Sequence, residues 1–198
     1  MERPERPSVL KPFDILLYRN HGLIGELISW GEKDEPGLSS YSHVAMVYSP
    51  EAGTAIEQNP PHAHMFALGQ VPWHRVDVFR LKLKGKDVFD DRKAVRGAQH
   101  RALKFLGPPA EPYDFGFIGK CLGLDLLCRL GLSGLATRFS HHFNSTKHQS
   151  VCSTTAEAIA EAGLWETHPK ISLLPVYLGV GEMKPGDWPE SPLAYLVR

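Results

Sequence analysis

Between Phe13 and Tyr18 the chain is almost unbroken apolar, which predicts a short strand buried on both faces. From Gly22 to Trp30, Leu23, Leu27 and Trp30 recur at helical spacing, and Gly31 to Ser40 reads as a polar loop. Two β-rich runs follow, Ser42 to Tyr48 and Thr54 to Gln58, separated by Ser49-Pro50-Glu51-Ala52-Gly53, the turn chemistry of a hairpin with a five-residue loop. Val76 to Leu81 alternates with period two and predicts a strand with one wet face. Asp90 to Leu106 carries Ala, Val and Leu at helical spacing and stops at Gly107-Pro108-Pro109. Tyr113 to Ala136 is rich in glycine and leucine, with one or two short helices around Leu122 to Leu130, and Phe139 to Gln149 is polar and rich in histidine. Ser153 to Gly163 has high helix propensity and is expected to end at its glycine. The proline-punctuated tail predicts one strand near Leu173 to Leu178 and otherwise a surface wrap.

A length of 198 residues with 42% hydrophobic and 22% charged residues fits a single domain over residues 13–198. Residues 1–12, with three prolines and alternating charge, read as an extended arm. Lys plus Arg and Asp plus Glu are both 22, so no excess positive field is available to hold a phosphate backbone, and nucleic acid is not an expected partner. No stretch approaches the roughly 18 apolar residues of a membrane span. The opening Met1-Glu2-Arg3-Pro4 lacks the apolar core of a signal peptide, so the chain is expected to be cytoplasmic when made. Cys121, Cys128 and Cys152 match neither a disulfide framework nor a paired zinc spacing and read as reduced thiols. Six scattered histidines (His62, His64, His74, His141, His142 and His148) lack the spacing of a metal site and read as solvated loop residues, with cleft lining as the alternative for His62 and His64, which follow the Thr54 to Gln58 run directly after Pro60-Pro61.

Of the three thiols, Cys152 is set apart by standing directly ahead of a helix, whose N-terminus favours a thiolate and offers free N–H groups. Ser153 is placed to cap that helix or to join an oxyanion site. Cys121 and Cys128, seven apart in an apolar stretch, behave as small core residues, and on its own Cys152 reads the same way. A nucleophile needs a base, and His43 is the histidine on a strand that shares a face with Ala45 and Val47. Symmetric closure of the hairpin pairs Tyr48 with Thr54, Ala45 with Glu57 and His43 with Asn59. Glu57 is then the diagonal same-face neighbour of His43, roughly 7–8 Å away by Cα. The order nucleophile, base and orienter is that of a triad, with Glu57 as orienter and Asn59 as its rival. Tyr41 and Tyr18 are candidate hydroxyls near the sulfur.

These pieces in this order resemble the circularly permuted branch of the NlpC-type papain-like hydrolases, the YiiX-like group. The segments that carry the resemblance are Phe13-Asp14-Ile15-Leu16-Leu17, Tyr41-Ser42-His43-Val44-Ala45-Met46-Val47, Ala55-Ile56-Glu57, Val76 to Arg80, Pro112-Tyr113-Asp114-Phe115 and Val151-Cys152-Ser153. Together they span about residues 12–165, with the histidine ahead of the cysteine. The resemblance implies an α+β, papain-like fold, an antiparallel sheet or partial barrel packed against helices. It implies Cys152 as nucleophile, His43 as base and Glu57 as third residue, with no metal or cofactor. The wider family implies a peptidoglycan stem peptide as substrate. An enzyme of that kind without an export signal would be a phage lytic enzyme or a secreted antibacterial effector, brought to a periplasm or cell wall by a non-classical route, with an immunity or delivery protein as partner. Two departures stand out: Thr154 where the group often has an acidic residue, and an insert near 119–149. The alternatives are a lipid-directed acyl hydrolase or acyltransferase, as in the related lecithin:retinol acyltransferase-like branch, whose cysteine is usually followed by Glu-His-Phe, and a catalytically idle papain-like binding module.

Overall fold

The apolar run after Phe13 becomes β1 (Ile15–Arg19), and its four buried residues place it at the middle of an antiparallel sheet. The computed structural model describes residues 9–19, 41–108, 152–169 (for 154 the backbone alone), 188, 189 and 191–197, and the single positions 119, 123, 126, 127, 130–132, 135, 171 and 173. The expected helix over 22–30, the loop over 31–40, the strand over 173–178, Cys121, Cys128 and nearly all of the 119–149 insert lie outside the described residues.

The fold is α+β. Its other strands are β2 (Tyr41–Ser49), β3 (Thr54–Asn59), β4 (His62–Ala67), β5 (Val76–Leu83), β6 (Lys86–Asp87) and β7 (Ala194–Val197). They run in the order β4-β3-β2-β1-β5-β6, with β7 also paired to β5, and the sheet is not closed into a barrel. Two helices, α1 (Arg92–Leu106) and α2 (Cys152–Thr167), pack together on one side. There Ile15, Leu17, Val44, Met46 and Ile56 meet Ala98, Ala156, Ile159 and Leu164. On the other side Leu16, Tyr18, Ala45 and Val47 pack under Leu68 and Val71 from the connection between β4 and β5.

The hairpin between β2 and β3 keeps the expected pairing of Ala45 with Glu57, but at its tip Ser49, not Tyr48, faces Thr54. The loop is tighter than expected because Ser49 Oγ accepts from Ala52 N (3.1 Å) and Gly53, at φ +65°, closes a turn on the Pro50 carbonyl. The surplus residue is absorbed as a bulge. A second bulge lies at the other end of β2, where Tyr18 pairs with His43 but Arg19 pairs with Tyr41, leaving Ser42 extra.

Besides the two-residue β6, two strands exceed expectation. The β4 segment shows no alternation because it is an edge strand exposed at four of its six positions, and β7 forms in the proline-rich tail by pairing with distant β5. Helix α1 starts at Arg92 rather than Asp90, because Val88–Asp90 forms a 3₁₀ turn that buries Val88 and Phe89 and hands the cap to Asp91, whose side chain accepts from Lys93 N at 2.7 Å. Helix α2 begins at Cys152 itself and runs through Gly163 to Thr167, so the glycine is no stop. It serves close approach instead: a Cβ on Gly163 would stand 2.6 Å from the Phe89 ring and 2.8 Å from the Ala94 carbonyl oxygen. One on Gly97, facing it from α1, would stand 2.7 Å from the Ala162 carbonyl oxygen.

The N-terminal arm is also tied down over its last residues. Lys11 Nζ lies 2.7 Å from Asp87 and 2.6 Å from Asp90, and its backbone N–H donates to Asp14. Asp14, fully buried, receives the Arg80 guanidinium as a fork, Nε to Oδ1 at 2.6 Å and Nη2 to Oδ2 at 2.8 Å. Residues 9–12 therefore belong to the folded body, held by these charges and by Leu10 packed against the second apolar cluster.

Candidate active site

Strand register delivers one carboxylate and one imidazole to one place, and a helix end brings the sulfur. His43 on β2 pairs with Tyr18 of β1, and Glu57 on β3 pairs with Ala45, so both side chains follow the row of the second apolar cluster. The diagonal contact forms: His43 Nε2 lies 2.7 Å from Glu57 Oε2, with both side chains nine-tenths buried. Helix α2, which packs on β2 and β3 from the opposite side, presents buried Cys152 from its first turn to His43 at the end of β2, beside the Ser42 bulge. His43 is hydrogen-bonded to Cys152 as well as to Glu57. With Nε2 given to the carboxylate, Nδ1 is the ring nitrogen left for the sulfur.

The electrostatics follow from that placement. Burial disfavours the charged imidazole, but the charge and hydrogen bond of Cys152, and then those of Glu57, push His43 up to about 10. Burial likewise works to raise the Glu57 carboxyl, and it is overcome by His43, by the charge of His64 and by a hydrogen bond from Asn59, so Glu57 sits below the usual glutamate range. A carboxylate and a thiolate only accept, so an imidazolium between them satisfies both with its two N–H groups. The arrangement suits a thiolate–imidazolium pair steadied by a carboxylate.

No family model and no curated protein matches this chain.

The remaining candidates are placed as follows. Tyr18 packs its ring against His43, centroids 5.4 Å apart at 61°, and burial together with the Glu57 charge pushes its hydroxyl well above the usual range. Asn59 donates to Glu57 Oε1 at 3.5 Å, so it supports the carboxylate that contacts His43. Ser153 is buried in the first turn of α2. Tyr41 is placed by a bulge. Simple alternation would set it on the same face as His43, but the bulge at Ser42 turns it to the helix side, where its hydroxyl donates to Asp77, itself paired with Arg19. Its hydroxyl is pushed up to about 12, by burial first and then by Asp77. Sequence reasoning gave His64 little weight, yet its Nε2 lies 3.1 Å from Glu57 Oε1. The signal was present: once Pro60-Pro61 turns the chain, β4 sets His64 directly opposite Glu57.

Among the described residues no group of three His, Cys, Asp or Glu side chains is disposed to hold a metal ion, and no helix is long and apolar enough to cross a membrane.

A pH dependence of stability follows. Glu57 titrates lower in the folded chain than in the unfolded one, so its contribution is present above the usual glutamate range and is lost as pH falls through the folded value. His43 titrates higher when folded, so its contribution is complete below about 6.5 and is lost as pH rises through about 10. Urea unfolding of wild type and Glu57→Gln should therefore show a stability deficit in the variant at neutral pH that closes on acidification below the glutamate range. A deficit constant with pH would show that the carboxylate charge does not hold His43.

Proposed function

We propose that the chain is a cysteine hydrolase of papain-like type, cleaving an amide bond through an acyl-enzyme. The observation that carries the reading is the Glu57–His43 contact of 2.7 Å with Cys152 hydrogen-bonded to the same ring. The Cys152 thiolate adds to the substrate carbonyl, and the oxyanion forms at the start of α2, where the first backbone N–H groups have no intrahelical acceptor. The His43 imidazolium gives its proton to the leaving amine, a thioester remains on Cys152, and water deprotonated by His43 releases the acid and restores the thiol. Glu57 holds the ring and balances its charge. The favoured substrate is a peptidoglycan stem peptide, and the favoured settings are phage lysis or delivery as an antibacterial effector.

Iodoacetamide at neutral pH tests the nucleophile. Cys152 should be alkylated well before Cys121 and Cys128, and equal labelling of all three in the folded chain would remove the basis for the assignment.

One observation favours a lipid-directed acyl hydrolase or acyltransferase as the second reading. Leu126, Leu130, Leu132 and Leu135 are each at least 42% exposed, an apolar surface suited to an acyl chain or a bilayer. Purified sacculi and phospholipid vesicles, offered side by side, separate the two: release of peptide from the first supports the amidase, and release of fatty acid from the second replaces it.

A further inference from the structure

The Glu57 carboxylate is held at both ends. Oε2 is on His43 at 2.7 Å, and Oε1 is on His64 Nε2 at 3.1 Å. We propose that His64 is a positioning residue for Glu57, fixing the carboxylate by its second oxygen so that the first stays on His43. The inference rests on the triad reading and extends it by one residue.

Register makes the contact a built one, because Glu57 and His64 are direct partners in the β3–β4 ladder. A glutamate has three side-chain torsions, and a single contact to His43 would leave the carboxylate free to rotate about its last one. A ring nitrogen held 3.1 Å from the other oxygen, beside the hydrogen bond from Asn59, restricts that freedom. Asn59 Nδ2, at 3.5 Å from the same oxygen, is too long to do so alone. His64 is itself oriented: Nδ1 lies 3.4 Å from the His62 carbonyl oxygen, and the ring is backed by Phe66 at 6.3 Å. Both ring nitrogens thus face atoms that only accept. The groups that face Glu57 are His43 from β2, Tyr18 from β1, His64 from β4 and Asn59 on its own strand, with Cys152 of α2 beyond the His43 ring. His64 is also 45% exposed, whereas His43 and Glu57 are 7% and 10% exposed, so a continuous line of contacts runs from solvent through His64, Glu57 and His43 to the sulfur.

The test needs no substrate. The rate of Cys152 alkylation by iodoacetamide is followed against pH in the full chain as wild type, His64→Ala and His64→Gln. Loss of the ring should move the alkaline inflection of the profile, where the His43 imidazolium gives up its proton, downward by about half a pH unit, because a loosened carboxylate stabilises the imidazolium less. His64→Gln, whose amide nitrogen reaches the place of Nε2, should restore most of it. His62→Ala, on the same edge strand, should leave the profile unchanged and so controls for the strand. Should His64→Ala not fold, His64→Leu takes its place with the same expectation. Coincident profiles for wild type and the donorless variant overturn the proposal, and so does a glutamine variant displaced as far as alanine. Equal labelling of all three cysteines in wild type strikes the triad itself, whereas a Cys152-selective wild type whose alkaline inflection the His64 variants do not move strikes His64 alone.

Discussion

Cys152→Ala and His43→Ala should each lower turnover of sacculi by at least about a thousandfold, and the double variant should fall little further, because members of one catalytic unit are grossly non-additive. Glu57→Gln should do less damage, about 10- to 100-fold, since it keeps a polar group beside His43 and loses only the charge that favours the imidazolium. Release of free amines from sacculi, measured over the four variants, gives the ranking directly. If Glu57→Gln behaves as wild type and Asn59→Ala does not, the third position belongs to Asn59, in spite of the 2.7 Å contact that Glu57 makes. If Cys152→Ala keeps full activity, the covalent mechanism is wrong whatever the other variants do.

The second large effect concerns stability. Arg80→Ala strips the guanidinium fork from Asp14, whose side chain has no solvent exposure, and removing one partner of a buried pair typically costs about 3–5 kcal/mol. Burial already pushes the Asp14 carboxyl upward against the pull of Arg80, so in the variant it takes up a proton, which limits the loss to the lower end of that range. Arg80→Lys should recover only part of it, because one ammonium cannot reproduce two parallel N–H bonds. Lys11→Ala should cost no more than about 1 kcal/mol, since its ion pairs are partly exposed. Urea midpoints for the three variants test the order, and an Arg80→Ala loss below that of Lys11→Ala would refute it.

What could be read without coordinates was whatever local periodicity and turn chemistry control. The buried run of β1, the β2–β3 hairpin and the pairing of Ala45 with Glu57 belong to that class, and the meeting of His43 with Glu57 depends only on them. Features set by single-residue irregularities were not legible. The bulge at Ser42 leaves no trace in the apolar pattern, yet it decides that Tyr41 turns to Asp77 and away from His43. Edge strand β4 is wet on most of its length, and β7 exists through a pairing more than a hundred residues away in sequence, so neither carries a strong local signature. Gly163 looked like a terminator because a glycine after alanines usually is one, and only the neighbouring helix shows why it sits inside α2.

That glycine contact also governs the sulfur. Gly163 lies eleven residues from Cys152 on one helix, a lever of about 16 Å at 1.5 Å per residue. The seat at one end is a backbone-to-backbone fit with no slack for even a methyl group, while the other end carries the atom that must meet Nδ1 of His43. A wedge that tilts the helix by roughly 4° about the seat swings Cys152 by about 1 Å, a misplacement large enough to cost on the order of a hundredfold in rate. On the proposed hydrolase reading, variation at Gly97 or Gly163 would thus register as lost chemistry in a chain that keeps Cys152, His43 and Glu57, and the aim of the sulfur would be set as much from the far end of α2 as from the site itself.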